Sequence, residues 1–156
     1  MADIVSPKTR SWMMAGITGK DTKPEVQLRS ALHRRGFRFR LHGRGLPGKP
    51  DLVFRRHGAV LFVNGCFWHG HDCHLFRLPA TRTEWWRDKI EATKARDSAQ
   101  CAALQNDGWR VGTIWECAMR GRSRIGLDEV AERCAIWLQG NDERLEVYGH
   151  KKGATV

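Results

Sequence analysis

The stretch PDLVFRRHGAVLFVN, residues 50–64, decides the fold of this chain. Its two apolar runs, residues 51–54 and 59–64, flank a short turn that ends in Gly58, and this pattern predicts two strands joined by a tight hairpin. The second run is apolar almost throughout, which is typical of a strand buried on both faces. Helices are therefore expected on either side of the hairpin to cover it.

A helix and a short strand are predicted before the hairpin. The tetrapeptide TKPE, residues 22–25, has the pattern of a capping box with proline in the first turn, and the helix that it opens is expected to end at Gly36. In residues 37–41 apolar side chains alternate with arginines, which predicts a half-buried strand.

After the hairpin, a loop over residues 65–79 leads to a second candidate capping box, residues 81–84, which is expected to open a long helix ending near Asn106. A fourth strand is predicted over residues 109–115, and a closing helix over about residues 127–138. The order α-β-β-β-α-β-α predicts the α/β class, with a mixed sheet flanked by helices.

Length and composition indicate one domain, because 156 residues with 41% apolar side chains suffice for a single core. The domain is predicted over residues 21–148, with an N-terminal arm at 1–20 and a frayed tail at 149–156. The longest apolar run is far too short to cross a bilayer, and the first residues lack the apolar centre of a signal peptide. A cytoplasmic protein is therefore expected.

The charge balance favours a polyanionic partner. Lysine and arginine number 27 against 17 acidic residues, which leaves a formal charge of +10. Nucleic acid is the leading candidate, with ribosome association and plain solubility as alternatives. Eight basic residues near the polar and aromatic segments could neutralise phosphates: Arg77, Arg82, Arg87, Lys89, Lys94, Arg120, Arg122 and Arg124.

Cysteine and histidine are concentrated in GCFWHGHDCH, residues 65–74. Thiolate and imidazole are the ligands that zinc prefers, and a closed set of four indicates a structural ion. The set expected here is Cys66, His71, Cys73 and Cys117. Two alternatives stay open: His69 replaces His71 as the ligand, or the loop carries incidental thiols, because the spacing is not that of a standard finger. Cys101 and Cys134 lie in helical patterns and are expected to be buried thiols.

Asp51 is the candidate anchor for a catalytic cation. It opens the first hairpin strand, and the second strand ends at Val63 and Asn64, so carboxylate and carbonyl oxygens are expected to meet at the strand ends. Pro50-Asp51 is half of a common nuclease pattern, PD followed by (D/E)xK, whose second half is missing. A simple turn role for Asp51 is the competing interpretation.

Two further side chains are candidates for acid–base work. His69 remains once zinc takes His71, and imidazole titrates near neutral pH, which suits proton transfer at a phosphodiester. Glu25 is either a supporting acid of the site or only the carboxylate of the capping box.

The chain has seven tryptophans, several beside the polar cluster. Flat rings next to a basic site can wedge between base pairs, and this role is predicted for Phe67, Trp68 and Trp86. Trp85 is expected to pack against the sheet. Three other tryptophans are assigned to the core: Trp109, Trp115 and Trp137.

Several segments, read together, carry a resemblance to a known family. They are TRSWMMAGI, LPGKPDLVF, LFVNGCFWHGHDC, LFRLPATRTEWWRDKI and GWRVGTIWECAMRGR, in this order over residues 9–138. The chain resembles the very short patch repair endonucleases, bacterial enzymes that nick DNA at T:G mismatches. The resemblance implies a restriction-endonuclease-like (PD-(D/E)XK-type) fold with one structural zinc, and double-stranded DNA with a T:G mismatch as substrate. It also implies a monomer that cuts one strand 5′ to the thymine.

Residue roles follow from matching motif positions in that family. Asp51 and the backbone carbonyl of Val63 are expected to bind Mg²⁺, as two ions. His69 is expected to transfer protons, and Glu25 to act as a supporting acid. The wedge of aromatic rings is joined by Met14 from the arm. The expected DNA contacts are Met14, Asn64, Phe67, Trp68, Trp86, Lys89, Thr93 and Arg120.

One departure from the family is visible, because members can carry threonine-histidine where this chain has Val63-Asn64. A carbonyl ligand survives that change, whereas an imidazole at the phosphate does not, so either activity is expected to be slower or Asn64 is expected to serve as a hydrogen-bond donor instead. The competing functions are a zinc-stabilised DNA-binding protein without catalysis, and a nicking enzyme of the same fold with another target.

Overall fold

A five-stranded mixed sheet lies between two helical layers in the computed structural model, which describes residues 21–150. The strands follow one another across the sheet in the order β1-β2-β3-β4-β5. Their bounds are β1 Arg40–Leu41, β2 Leu52–Phe54, β3 Ala59–Asn64, β4 Arg110–Trp115 and β5 Arg144–Val147; the helices are α1 Lys23–Arg34, α2 Thr83–Asn106 and α3 Leu127–Gln139. The predicted α/β class is confirmed. No helix of the described part is long and apolar enough to cross a membrane.

The predicted hairpin is present at the centre of this sheet. β2 and β3 pair antiparallel, with Leu52 opposite Leu61, and a single 3-10 turn joins them. Gly58 closes the turn at φ 60°, a left-handed conformation that glycine adopts without steric cost. β3 then runs parallel to β4, and the long helix α2 makes the crossover that parallel pairing requires.

Alternating residues of the hairpin face two different cores. Leu52, Phe54 and Leu61 pack with α1 and α3 on one face of the sheet. Val53 and Val60 pack on the other face, in a cluster with residues of β4 and α2. Because both faces are covered, the central strands are apolar on both sides, as the sequence predicted.

Helix α1 begins as predicted, but its capping box is modified. The Thr22 hydroxyl accepts a hydrogen bond from the Glu25 backbone N–H at 3.4 Å. The Glu25 carboxylate accepts from the backbone N–H of Asp21 rather than that of Thr22. The chain leaves the helix through Gly36 at φ 95°.

The strand predicted over residues 37–41 is shorter than expected, since only Arg40 and Leu41 pair with β2. Phe37 and Phe39 instead pack their rings against Phe54 of the hairpin, at centroid distances of 6.4 and 5.5 Å. These aromatic contacts give residues 37–39 their fixed place without a hydrogen-bonded ladder.

Helix α2 begins at Thr83, so the second predicted capping box is wrong. Arg82, the residue before the helix, is left-handed at φ 57° and makes no side-chain cap. The hydroxyl of Thr83 donates to the carbonyl of Pro79 at 2.7 Å, and this contact turns the chain into the helix.

The fifth strand was not predicted. β5 pairs parallel with β4, with Val111 opposite Arg144 and Ile114 opposite Val147. The guanidinium of Arg110 secures the connection, donating to the carbonyls of Trp137, Leu138, Asp142 and His57. Leu145 and Val147 alternate with charged residues, but four residues are too short for this pattern to indicate a strand by itself, and pairing at the edge of β4 stabilises it.

The chain remains ordered just beyond β5. Gly149 is buried, and its backbone N–H donates to the Cys117 sulfur at 3.3 Å, while His150 donates to the carbonyl of Ser123 at 2.7 Å. The first two residues of the tail predicted to fray from residue 149 thus make contacts with the domain, and the fraying itself stays a prediction. Residues 151–156, like 1–20, lie outside the described part of the chain.

Candidate active site and metal centre

Asp51 lies where the ends of β2 and β3 meet. Because these strands are antiparallel, the residue that enters β2 is next to the residues that leave β3. The Asp51 Oδ2 atom accepts a hydrogen bond from the Val63 backbone N–H at 2.7 Å. Only 8% of Asp51 is exposed, so this carboxyl group is buried at the rim of the sheet. The structure thus brings Asp51 and Val63 together, as predicted.

Glu25 from α1 completes a pair of carboxyl groups with Asp51. Its side chain is 1% exposed and hydrogen-bonds to Asp51, besides accepting from Asp21 N at 2.8 Å and from Arg29 at 3.1 Å. Burial, followed by this hydrogen bond, raises the pKa of Asp51 to about 8. A divalent cation with oxygen ligands would offset the repulsion between two neighbouring carboxylates, so the pair is a candidate ligand site. Glu25 thus contacts both the start of α1 and Asp51.

Asp21 and His42 extend this cluster, and sequence reasoning missed both. His42 Nε2 lies 3.1 Å from Asp21 Oδ1, and ligand atoms of these residues and Glu25 are all within 4.8 Å of one another. The hydrogen bond from Arg29 lowers the pKa of Asp21, with His42 contributing less. Asp21 directly precedes the capping box, but nothing in the sequence linked it to His42, twenty-one residues away.

His69 is held by a carboxylate that was also not predicted. Its Nδ1 atom lies 2.6 Å from Oδ2 of Asp97, in the middle of α2. A carboxylate at Nδ1 orients the ring and leaves Nε2 as the atom available for proton transfer. Asp97 looks like an ordinary surface residue of a helix in the sequence, since only the packing of α2 on the loop after β3 brings the two together.

The four predicted zinc ligands converge. The ligand atoms of Cys66, His71, Cys73 and Cys117 all lie within 4.8 Å of one another. Nδ1 of His71 is 3.5 Å from the sulfurs of both Cys66 and Cys117. A tetrahedron with metal–sulfur bonds of about 2.3 Å has edges of about 3.7 Å, so these separations fit a bound cation. His69 is outside this cluster, so the geometry favours His71 over His69 as the fourth ligand.

The three sulfurs of the cluster differ: the hydrogen bond with Cys117 raises the pKa of Cys66, and burial raises the pKa of Cys73. The hydrogen bond from Cys66, and after it that from His71, lowers the pKa of Cys117 to about 4. The backbone N–H groups of Cys117 and Gly149 donate to the sulfurs of Cys66 and Cys117, respectively, at 3.3 Å. Trp115 stacks on the His71 ring at 4.2 Å between centroids. This donor set of three thiols and one imidazole can hold a soft metal ion.

The three aromatic rings predicted as a wedge form one cluster. Phe67 lies 5.1 Å from Trp68 and 5.4 Å from Trp86, between ring centroids, and all three are half-exposed. Trp85 does not pack against the sheet as expected, because Trp86 takes the inner position. Trp85 is 45% exposed, and the Arg82 guanidinium lies 4.7 Å from the centre of its ring.

The other predicted contact residues lie at different depths. Lys89 is exposed on α2, and Thr93, one turn later, donates its hydroxyl to the Lys89 carbonyl at 3.0 Å. Arg120 is exposed and pairs with Glu116 at 2.8 Å, and Asn64 ends β3 half-buried. Met14 lies outside the described residues.

Outcomes for the remaining tryptophans and cysteines are mixed. Trp137 and Cys134 are buried, as predicted. Trp109, Trp115 and Cys101 are only half-buried, at the borders of the core.

A buried carboxyl pair at strand ends, a carboxylate-held histidine and a basic, aromatic surface define a nuclease. Comparison with known proteins agrees. The family model for DNA mismatch endonuclease Vsr matches residues 2–75. The type II nicking enzyme V.XorIIP of Xanthomonas oryzae pv. oryzae is 50% identical over 82% of this chain and 98% of its own length. The DNA mismatch endonuclease Vsr of Escherichia coli is 42% identical over 94% of both chains. This chain belongs to the Vsr family and is a DNA endonuclease.

Proposed function

We propose that this enzyme is a strand-specific, Mg²⁺-dependent endonuclease that nicks DNA 5′ to the thymine of a T:G mismatch, the product of 5-methylcytosine deamination. We propose further that the sheet belongs to the restriction-endonuclease-like fold, that the Cys₃His cluster holds a structural zinc, and that the enzyme acts as a monomer in the bacterial cytoplasm. The observation that carries the proposal is the buried pair of carboxyl groups, Asp51 and Glu25, at the ends of β2 and β3.

The oxygen-rich end of the sheet is suited to the catalytic cation. Asp51 and the Val63 carbonyl are the proposed ligands, expected to hold two Mg²⁺ ions, and Glu25 supports them by its hydrogen bond to Asp51. Bound there, magnesium would stabilise negative charge on the scissile phosphate and activate water. Asp51 must lose its proton before it can act as a ligand, so binding becomes easier as the pH rises towards 8.

His69 is the proposed proton carrier. The 2.6 Å contact with Asp97 supports a tautomer in which Nδ1 donates to the carboxylate. Nε2 is then free to take a proton from the attacking water, or to donate one to the leaving oxygen once charged. Asp97 holds the ring orientation and stabilises the charged form.

The cysteine cluster positions this histidine. His69 lies between Cys66 and His71 in the chain, so a metal bound to both would close the loop on either side of it. Phe67 and Trp68 lie in the same closed segment. A structural zinc would therefore hold the acid–base group and two wedge rings in one rigid unit.

Selection of a mismatch is proposed to depend on the cost of opening the base stack. Insertion of Phe67, Trp68 and Trp86, with Met14 from the N-terminal arm at 1–20, requires unstacking of a base step. A wobble pair yields more easily than a matched pair, so the same wedge discriminates in favour of T:G. Lys89 and Thr93 on α2 are proposed to contact base edges, while Asn64 and Arg120 are proposed to contact the phosphate backbone of the DNA.

A nicking assay on a panel of duplexes tests the proposal. The protein with zinc bound is given T:G, other mismatched and fully matched duplexes, each with and without Mg²⁺. We expect one strand of the T:G duplex to be cut 5′ to the thymine, and only with Mg²⁺. Equal cutting of matched DNA would support the alternative of a different or relaxed target, and no cutting of any duplex would contradict catalysis.

The variant Asp51→Ala separates the enzyme from a non-catalytic binding protein. Loss of nicking with retained binding of the T:G duplex is expected, because the carboxylate holds the cation and not the DNA. Glu129→Ala, an exposed carboxylate in the first turn of α3, is the matched control and should nick like the wild type.

A further inference from the structure

A basic groove lies beside the edge strand β1, next to the carboxyl cluster. Arg40, His42, Arg44 and Arg55 supply its polar lining; among residues 21–150 no carboxylate lines it directly, and Asp21 contacts it only through His42. The groove has a volume of about 780 Å³, in the range of clefts that hold ligands, so it has room for more than a single small anion.

The three arginines of this groove are free to meet an external anion. All three are exposed, and none makes an ion pair with a carboxylate within residues 21–150. In contrast, Arg29 and Arg120 are both bound to carboxylates at 2.8 Å. Three unneutralised guanidinium groups at one open groove create a local positive potential and can form bidentate contacts with phosphate.

The wall of this groove is joined directly to the catalytic strand end. The backbone N–H of His42 donates to the Asp51 carbonyl at 3.0 Å, and that of Gly43 donates to the Pro50 carbonyl at 2.8 Å. A Cβ atom on Gly43 would lie 2.8 Å from a methyl group of Val53, so the loop depends on glycine for this close approach. The groove therefore lies directly beside the strand end that carries Asp51.

We propose that this groove binds backbone phosphates of the duplex that flank the nicking site, and so extends the DNA footprint beyond the mismatch. The inference rests on the proposed action on mismatched duplex DNA. Phosphates recur regularly along a strand, so a row of arginines can hold several of them and release their counterions. The contacts carry no sequence information, and they add affinity and orientation.

The test compares the triple variant Arg40→Gln/Arg44→Gln/Arg55→Gln with the wild type on T:G duplexes of two lengths. The short duplex covers only a few base pairs on each side of the mismatch, and the long one extends a full helical turn further. Arg144→Gln is the matched control, because Arg144 is exposed and unpaired among the described residues and lies on β5, the opposite edge of the sheet.

For the long duplex, the triple variant should bind at least about tenfold more weakly near 0.1 M salt, and the slope of log K against log[salt] should become shallower by about 2 to 3. The loss should be smaller for the short duplex, and Arg144→Gln should bind within about twofold of the wild type. An unchanged salt slope, an equal loss in Arg144→Gln, or an equal loss on both duplexes would overturn the proposal.

Wild-type nicking of the same duplexes, measured in parallel, distinguishes this inference from the proposed function. If the wild type binds but cuts neither duplex, the proposed reaction fails while the salt slopes still report on the groove. Thermal unfolding of each variant shows whether the fold is intact. If the triple variant is unfolded, the single variants take its place, each with an expected slope change of about 1.

Discussion

Replacing Asp51 with asparagine should stabilise the protein in the absence of magnesium while abolishing nicking. Burial and the hydrogen bond to Glu25 raise the pKa of Asp51 from 3.8 to about 8. Between these values the folded chain holds a proton that the unfolded chain has released, so the free energy of unfolding falls as the pH rises through this window. Asparagine has no such proton, yet its side-chain oxygen can still accept from Val63 N.

The magnitude follows from the same window. The interval from pH 3.8 to pH 7 is about three pH units, and each unit corresponds to about 1.4 kcal/mol. The raised pKa of Asp51 therefore lowers the free energy of unfolding of the wild type by at most about 4 kcal/mol at pH 7. Relaxation of the neighbouring Glu25 reduces this gain, and we expect Asp51→Asn to raise the free energy of unfolding by about 1 to 3 kcal/mol at pH 7. The gain should shrink towards pH 4 and level off above pH 8.

Urea unfolding at pH 4.5, 7 and 8.5 measures this effect, in buffer that contains neither magnesium nor a chelator so that the cysteine cluster keeps its metal. Asp88→Asn, at an exposed position of α2, is the matched control and should change the free energy by less than about 0.5 kcal/mol. Added Mg²⁺ should stabilise the wild type and leave Asp51→Asn unaffected. The reasoning is refuted if Asp51→Asn is no more stable than the wild type at pH 8.5.

Three other changes have defined outcomes. Asp97→Asn should slow nicking by about 10- to 100-fold at saturating T:G duplex, because His69 loses its orienting carboxylate; single-turnover rates check this, and an unchanged rate would remove Asp97 from the mechanism. Cys117→Ser should lose the bound metal and lower the thermal midpoint by at least about 10 °C, measured by metal analysis and calorimetry, whereas retention of one equivalent of zinc would contradict the ligand assignment. Arg110→Gln should lower the free energy of unfolding by about 1 to 3 kcal/mol, since three partly buried carbonyls lose their donor; a loss below about 0.5 kcal/mol in urea unfolding would show that water replaces the guanidinium.

The sequence by itself determined the elements whose signals are local. The apolar runs of the β2–β3 hairpin, the Thr22 N-cap of α1 and the end of α2 at Asn106 are each visible in a short window, and each is present in the structure. The four ligands of the metal centre were predictable for a related reason. Cysteine is rare, and three of the four ligands lie within eight residues, so their clustering hardly depended on the fold.

Only the tertiary structure decided the contacts between distant segments. Asp97 is an unremarkable residue of a long helix until α2 packs beside the loop that carries His69. Asp21 and His42 meet because the start of α1 lies beside the end of β1, and β5 forms because β4 offers it an unpaired edge. A helix or turn signal comes from neighbours in the chain, whereas the strength of a hydrogen bond or a pairing depends on distances that only the folded chain sets.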